Sequence, residues 1–187
     1  GIYEFPQIES VYPLQNLENL SSRLGVNVLL KREDYQKIHS FKLRGAYHKI
    51  KNLDENQLKA GIVTASAGNH AQGVALSAKK LGIKAVIVMP TTTPDLKIDA
   101  VRNFGAEVVL YGDSFNESYD YAQQLSKKKG LTMIPPYDDP DVIAGQGTIA
   151  HELIGQCDNI DTIYVQIGGG GLAAGIAVYI KSLLPHV

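Results

Sequence analysis

Short apolar runs rich in Val and Ile alternate along this chain with longer segments whose apolar positions recur at helical spacing. The runs at residues 27–31, 62–65, 84–89, 106–111 and 162–167 are brief and rich in Val and Ile, which predicts strands buried on both faces. After Ser40, the residues Leu43, Ala46, Tyr47 and Ile50 fall at i, i+3, i+4 and i+7. After Asn69, Ala71, Val74, Ala75 and Ala78 do the same, and each set gives one apolar stripe. Further helices are predicted at 14–24, 95–104, 114–129, 141–155 and 172–184. Strand and helix alternate, so the fold class is α/β, with mostly parallel sheets and flanking helices. The clearest punctuation is Pro135-Pro136 with Asp138, Asp139 and Pro140 behind it, read as a crossing between lobes.

Composition narrows the classes. With 187 residues, 44% of them hydrophobic and 20% charged, the chain can bury a sizeable core, which excludes disorder as its main state. Its 18 Lys+Arg and 19 Asp+Glu leave a net charge of -1, with no basic field for nucleic acid or an anionic membrane; a small-molecule partner is expected. The single cysteine, Cys157, excludes an internal disulfide framework and an all-cysteine metal site. It fits a reducing compartment, and a cytoplasmic location is expected. No stretch approaches the roughly 18 consecutive apolar residues of a membrane span, and residues 1–10 lack a charged-then-apolar export signal. The chain opens on Gly1 without methionine, which suggests processing or cutting. At the other end, a strand, a glycine loop and a helix lead to Pro185-His186-Val187, which reads as a turn into a further parallel strand. A right-handed crossover needs that position, so a fragment of a longer protein is expected.

Some loops carry candidate chemistry. In His39-Ser40-Phe41-Lys42-Leu43-Arg44-Gly45-Ala46, Ser40 is a good N-cap and places Lys42 in the first helical turn. The helix dipole disfavours an ammonium ion there, and the neighbours Phe41 and Leu43 desolvate it; a neutral amine can attack an aldehyde and form a Schiff base. The alternative is a solvated surface lysine. The loop Thr64-Ala65-Ser66-Ala67-Gly68-Asn69-His70-Ala71-Gln72-Gly73 lies between a strand and a helix and turns backbone N–H groups toward one spot. With Ser66 and Asn69 it forms a site for a carboxylate or phosphate, or else a plain glycine turn capped by Asn69. Thr64 stands where a serine-hydrolase elbow needs glycine. Finally, Gly168, Gly169, Gly170 and Gly171 precede Leu172 and a helix, an arrangement suited to a phosphate ester. Ile176-Ala177 stand where a Walker loop needs Lys-Ser/Thr, and a dinucleotide fingerprint would need an acidic residue beyond Val187.

A nucleophilic lysine, a carboxylate loop and a phosphate loop together describe the needs of pyridoxal phosphate acting on an amino acid. The sequence resembles the pyridoxal-phosphate enzymes of the tryptophan-synthase β-subunit fold, specifically the threonine/serine dehydratases, and looks closest to the N-terminal part of the biosynthetic ones. The resemblance runs from Pro13 to Pro185. It rests on Ser40-Phe41-Lys42-Leu43-Arg44-Gly45-Ala46, Ser66-Ala67-Gly68-Asn69-His70-Ala71-Gln72-Gly73, Ala144-Gly145-Gln146-Gly147-Thr148 and Gly168 to Leu172, in the family's order.

This resemblance implies a two-lobed fold, with residues 61–138 as the smaller lobe, residues 1–60 and 139–187 as part of the larger one, and the C-terminal remainder and any regulatory domain absent. It implies pyridoxal 5'-phosphate as cofactor, a small amino-acid substrate and a homo-oligomer. Lys42 looks like the Schiff-base lysine and the base for the α-proton, Phe41 like a residue packed on the cofactor ring, and Asn69 like the partner of its phenolic oxygen. Gly168, Gly169, Gly170, Gly171 and Leu172 look like the phosphate cup. Ser66, Ala67, Gly68, Asn69 and His70 look like the substrate-carboxylate site. The implied reaction removes the β-hydroxyl as water and yields a 2-oxo acid and ammonia. Racemases of the family place a serine hydroxyl where this chain has Ala67. The family's pyridine-nitrogen partner comes from later in the chain than Leu172, and Val11-Tyr12-Pro13-Leu14 lacks a threonine often found before the proline. An amino-acid racemase and a non-catalytic nucleotide-binding module stay open as alternatives.

Overall fold

A computed structural model describes residues 11–187; the export-signal reading of residues 1–10 lies outside them. Among the described residues, the first elements are strand β1 (Leu14–Asn16), helix α1 (Glu18–Leu24) and strand β2 (Leu29–Lys31), followed by a 3-10 turn at Glu33–Tyr35. Helices α2 (Lys42–Lys51) and α3 (Glu55–Ala60) lead into β3 (Ile62–Ala65), α4 (Asn69–Leu81), β4 (Ala85–Met89), α5 (Asp95–Arg102), β5 (Glu107–Leu110), α6 (Phe115–Lys129) and β6 (Thr132–Met133). Helices α7 (Pro140–Gln156) and α8 (Gly171–Leu183) complete it.

Strands β5, β4, β3 and β6 form one parallel sheet in that order. Alternation along β3 and β4 sends Ile62, Ile87 and Met89 to one face, against α2, α4 and α5, and Val63, Val86 and Val88 to the other, against Ala122 and Leu125 of α6. Burial on both faces is why these segments read as continuous apolar runs. Helix boundaries follow local capping. Asp54 with Gln57 and Ser114 with Glu117 form capping boxes, and Asp139 accepts from the Asp141 and Val142 amides ahead of a helix that opens on Pro140.

Residues 27–31 and 106–111 are not buried on both faces as predicted, because β2 pairs only with β1 and β5 is the edge of its sheet, which leaves Leu30 and Leu110 exposed; two further segments are corrected in type. The helix expected over 14–24 starts only at Glu18. Residues 14–16 instead pair antiparallel with β2, Leu14 opposite Lys31, a long-range pairing that no local period announces. Residues 162–167 are extended but form no ladder among the described residues. Ile163 and Val165 pack toward α7 and α8, whereas Tyr164 is 95% and Ile167 74% exposed, so the segment buries one face and not two. A strand is a property of pairs, and no described neighbour supplies the second member.

Helix α7 is the scaffold that matters for the site. A Cβ on Gly145 would stand 2.6 Å from the Gly45 Cα and 2.7 Å from the Arg44 carbonyl, and one on Gly147 would meet the Gly175 carbonyl at 3.1 Å. Glycines therefore let α7 touch the backbones of α2 and α8 together, and the Ala144-Gly145-Gln146-Gly147-Thr148 motif is a packing device. Gln146 adds its side-chain oxygen, which accepts from the Gly45 amide. Gly145→Ala is expected to force α2 and α7 apart and cost about 1–3 kcal/mol, read from urea unfolding. No change in stability would show that the two helices separate freely.

Candidate active site

The approach to Lys42 is a strained turn. His39 holds φ at 53°, in the left-handed region that a residue with a Cβ rarely enters, and its Nδ1–H donates to the Asp34 carbonyl at 2.9 Å. The Ser40 hydroxyl accepts the Lys42 amide at 3.3 Å, but Phe41, not Ser40, occupies the N-cap position, with helical dihedrals. Lys42 is still the first residue of α2.

Its amine is half-buried and donates to the Pro136 carbonyl at 2.6 Å, with the Phe41 ring centre 5.6 Å away. Burial pushes the amine below its ordinary 10.5. Leu43 has no part in this; it packs with Ile38 and Leu76 in a separate core.

Behind Lys42 lies a mostly buried charge cluster. Arg44, 6% exposed, donates to Glu33 at 2.7 and 2.8 Å, to Glu152 at 2.6 and 2.9 Å and to Thr148 at 3.0 Å. Lys31 pairs with Glu152 at 2.5 Å and donates to Gln156 at 2.7 Å. Burial works against the Arg44 charge, but bonds to Glu33 and Glu152 outweigh it and raise the guanidinium above its usual range. Burial also works against the Glu152 carboxylate, and bonds from Arg44 and Lys31 outweigh that and hold it below 4.5. The cluster ties the first turn of α2 to α7 and to β2.

The loop at residues 66–68 leads to the open N-terminus of α4. Gly68 is the N-cap, its amide donating to the Ser66 hydroxyl at 3.2 Å, and the first helical bond found is Gln72 N–H to the Gly68 carbonyl. The first N–H groups of a helix have no intrahelical acceptor and, with the dipole, favour an anion. Helix α4 is pressed against α2 here, because a Cβ on Gly73 would lie 3.1 Å from the Lys42 carbonyl. Asn69 is exposed at this helix end, and Ser66, Ala67 and Gly68 are half-buried. His70 differs: its ring is 4% exposed and its Nε2–H donates to the Ile134 carbonyl at 3.1 Å. Desolvation and the nearby Lys42 charge, only partly offset by the Ile134 bond, lower it to about 4, so the ring is neutral at pH 7.

In the glycine loop, Gly170 takes φ 89° and caps α8, while Leu172 anchors the helix in the core formed with α7. A Cβ on Gly169 would collide with the Tyr137 ring, and one on Gly171 would lie 2.6 Å from the Tyr137 carbonyl. A Cβ on Gly168 would meet nothing within 4 Å.

The segment at residues 134–137 joins these parts and was not singled out in the sequence for chemistry. The Ile134 carbonyl accepts from His70 and, at 2.8 Å, from the Thr64 hydroxyl; the Pro136 carbonyl accepts from Lys42; Tyr137 packs on the glycine loop. Pro135-Pro136 was the available signal. Two residues without N–H groups and with fixed φ suit a stiff strap that presents carbonyls.

These parts fit the group the motifs imply: a half-buried amine of lowered pKa, a helix N-terminus with a small-residue loop for a carboxylate, and a glycine-lined helix N-terminus for a phosphate. Among the described residues no cluster of metal-ligating side chains is found, and no helix is long and apolar enough to cross a membrane.

The family model for pyridoxal-phosphate dependent enzymes matches residues 6–187. The chain is 56% identical over 186 residues to L-threonine dehydratase biosynthetic IlvA of Escherichia coli (strain K12), an alignment covering 100% of this chain and 36% of that protein. It thus spans about a third of the length of such relatives. Among solved structures, the processed form of threonine deaminase isoform 2 from Solanum lycopersicum superposes with a TM-score of 0.93 at 54% identity, over 95% of this chain and 49% of that one. Maize serine racemase gives 0.92 at 36% identity, over 95% and 54%. With the family model matched over residues 6–187, 56% identity to a curated member and a matching fold, the chain belongs to the pyridoxal-phosphate dependent enzyme family.

Proposed function

We propose that the protein to which this chain contributes is a pyridoxal-phosphate-dependent dehydratase that converts L-threonine, and L-serine as a second substrate, to a 2-oxo acid and ammonia. The observation that carries this reading is Lys42: a half-buried amine of lowered pKa at the start of α2, bonded to the Pro136 carbonyl, in a chain 56% identical to a protein named L-threonine dehydratase. The cofactor, when bound, supplies an aldehyde for amine linkage and a ring that accepts the electron pair left by the departing α-proton.

The chain's residues do the rest. Lys42 would hold the cofactor through its amine, and its Nζ, when free, would take the α-proton of the substrate; a lowered pKa keeps more of it in the basic form. The N–H groups at Gly168 to Gly171 would hold the phosphate, and Leu172 fixes the helix that begins there at Gly171. Phe41 would flank the ring, Asn69 would hold its phenolic oxygen, and Ser66 with the amides of Ala67, Asn69 and His70 would receive the substrate carboxylate, the Gly68 amide being bonded to the Ser66 hydroxyl at 3.2 Å. Residues 61–138 form the smaller lobe, a division supported by a parallel sheet contained within residues 62–133.

Elimination is favoured over racemisation because Ala67 stands where the racemase reading needs a hydroxyl, and a methyl group donates no proton. The holoenzyme given L-serine is expected to release pyruvate and ammonia with little D-serine, measured by chiral chromatography. D-serine as the main product would replace this reading with that of a racemase. A colourless protein that binds NAD would replace it with a nucleotide-binding module.

A further inference from the structure

The carboxylate loop and the Lys42 amine are joined through the strap at residues 134–137, and the joint is the His70 ring. The Nε2–H of His70 donates to the Ile134 carbonyl at 3.1 Å, and the Thr64 hydroxyl donates to the same oxygen at 2.8 Å. Two residues further on, the Pro136 carbonyl accepts the Lys42 amine at 2.6 Å. Between the two carbonyls lie Pro135 and Pro136, whose rings fix φ at successive positions, so the direction of the first carbonyl constrains that of the second. The strap then continues into Tyr137, pressed on Gly169 and Gly171.

We propose that His70, with Thr64, is a positioning residue for Lys42: the pair anchors Ile134, the diproline transmits that anchorage to the Pro136 carbonyl, and this carbonyl sets the direction of the ε-amine. The ring is therefore not a ligand of the substrate carboxylate, which is left to Ser66 and the backbone amides at the start of α4. A neutral imidazole has one N–H. The lowered pKa keeps the ring neutral, and its one donor is committed to Ile134. The anchor is also well protected, since both His70 and Thr64 are buried.

This inference rests on the assignment of Lys42 as the cofactor lysine, and the experiment separates the two. In the holoenzyme, borohydride reduction and peptide mapping first locate the modified lysine; a label elsewhere sinks the assignment of Lys42 and this inference with it. With Lys42 labelled, His70→Leu, His70→Gln and Thr64→Val are compared for the pH midpoint of the cofactor's visible absorbance without substrate, for kcat and KM with L-threonine, and for inhibition by propionate, a carboxylate without an amine. His70→Leu is expected to move the midpoint by about half a pH unit or more and lower kcat by about 10- to 100-fold, with KM and propionate inhibition within about 3-fold of wild type. His70→Gln, which restores a donor near Nε2, returns kcat to within about 5-fold. Thr64→Val shifts the midpoint in the same direction as His70→Leu, and it carries the test alone if His70→Leu does not fold. Weaker propionate inhibition and a KM about 10-fold higher, with the spectrum unmoved, would make His70 a carboxylate ligand and overturn the proposal. So would a Thr64→Val enzyme with the wild-type midpoint.

Discussion

On the proposed role of Lys42, Lys42→Ala is expected to lower the enzyme's turnover of L-threonine by about 10,000-fold, because the group that links the cofactor and the base that takes the α-proton would be lost together, and to leave the cofactor-free protein folded. Release of 2-oxo acid measures the first part, and thermal unfolding of the cofactor-free proteins, in which the wild-type amine is free, measures the second. The stability argument follows from the amine's environment. Burial lowers the Lys42 pKa below 10.5 in the native state, so between the lowered value and 10.5 the unfolded chain binds the proton more readily and stability rises with pH. Below that window the native state carries the whole cost of a half-buried ammonium. The alanine variant has no such cost, so it is expected to melt no lower than wild type near neutral pH despite losing the bond to Pro136, and to lack the alkaline rise. Retained turnover would remove Lys42 from the chemistry. A melting temperature lower by more than about 5 °C would make the side chain a structural one.

The parts of this molecule legible in its sequence are those encoded by local rules. The central strands could be read because Ile62, Val63, Ile87 and Val88 are each buried by a helix on one face or the other, which leaves an uninterrupted apolar run. Lys42, the loop at residues 66–70 and the four glycines stand out in the sequence by residue type, and the fold places each at or beside a helix start. What depended on distant partners could not be read. Leu14, Gln15 and Asn16 become a strand only opposite Leu29, Leu30 and Lys31, and residues 162–167 have the composition of a strand without a ladder. The strap was hidden for a different reason. Its working groups are the Ile134 and Pro136 carbonyls, and a carbonyl's direction is written in no side chain; only the diproline hinted at rigidity. The family resemblance implies a carboxylate contact for the His70 ring, yet the fold turns that ring inward to Ile134. The roles of Gly145 and Gly147 likewise appear only when the backbones of α2 and α8 are seen against them.

Arg44→Met is expected to cost about 3–5 kcal/mol in urea unfolding, the largest stability loss of any substitution considered, although it keeps an apolar stem of similar length. Lys31 and Arg44 balance Glu33 and Glu152 in a mostly buried cluster, and removing the guanidinium leaves Glu33 without its ion pair and Glu152 with Lys31 alone. Adding Glu33→Gln to the variant removes one of the orphaned charges and is expected to recover part of the loss. Acid titration tests the cause. Bonds from Arg44 and Lys31 hold the Glu152 carboxylate below 4.5 against the cost of its burial, so the stability it contributes is fully present above that value and is lost as pH falls through the lowered one. In Arg44→Met there is less depression to lose, and the stability gap between variant and wild type therefore narrows as the medium is acidified. A gap that stays constant from about pH 7 to about pH 3, a range spanning the ordinary carboxylate values, would assign the loss to packing along the arginine stem. A gap that closes assigns it to unpaired carboxylates beneath the first turn of α2, the turn that presents Lys42.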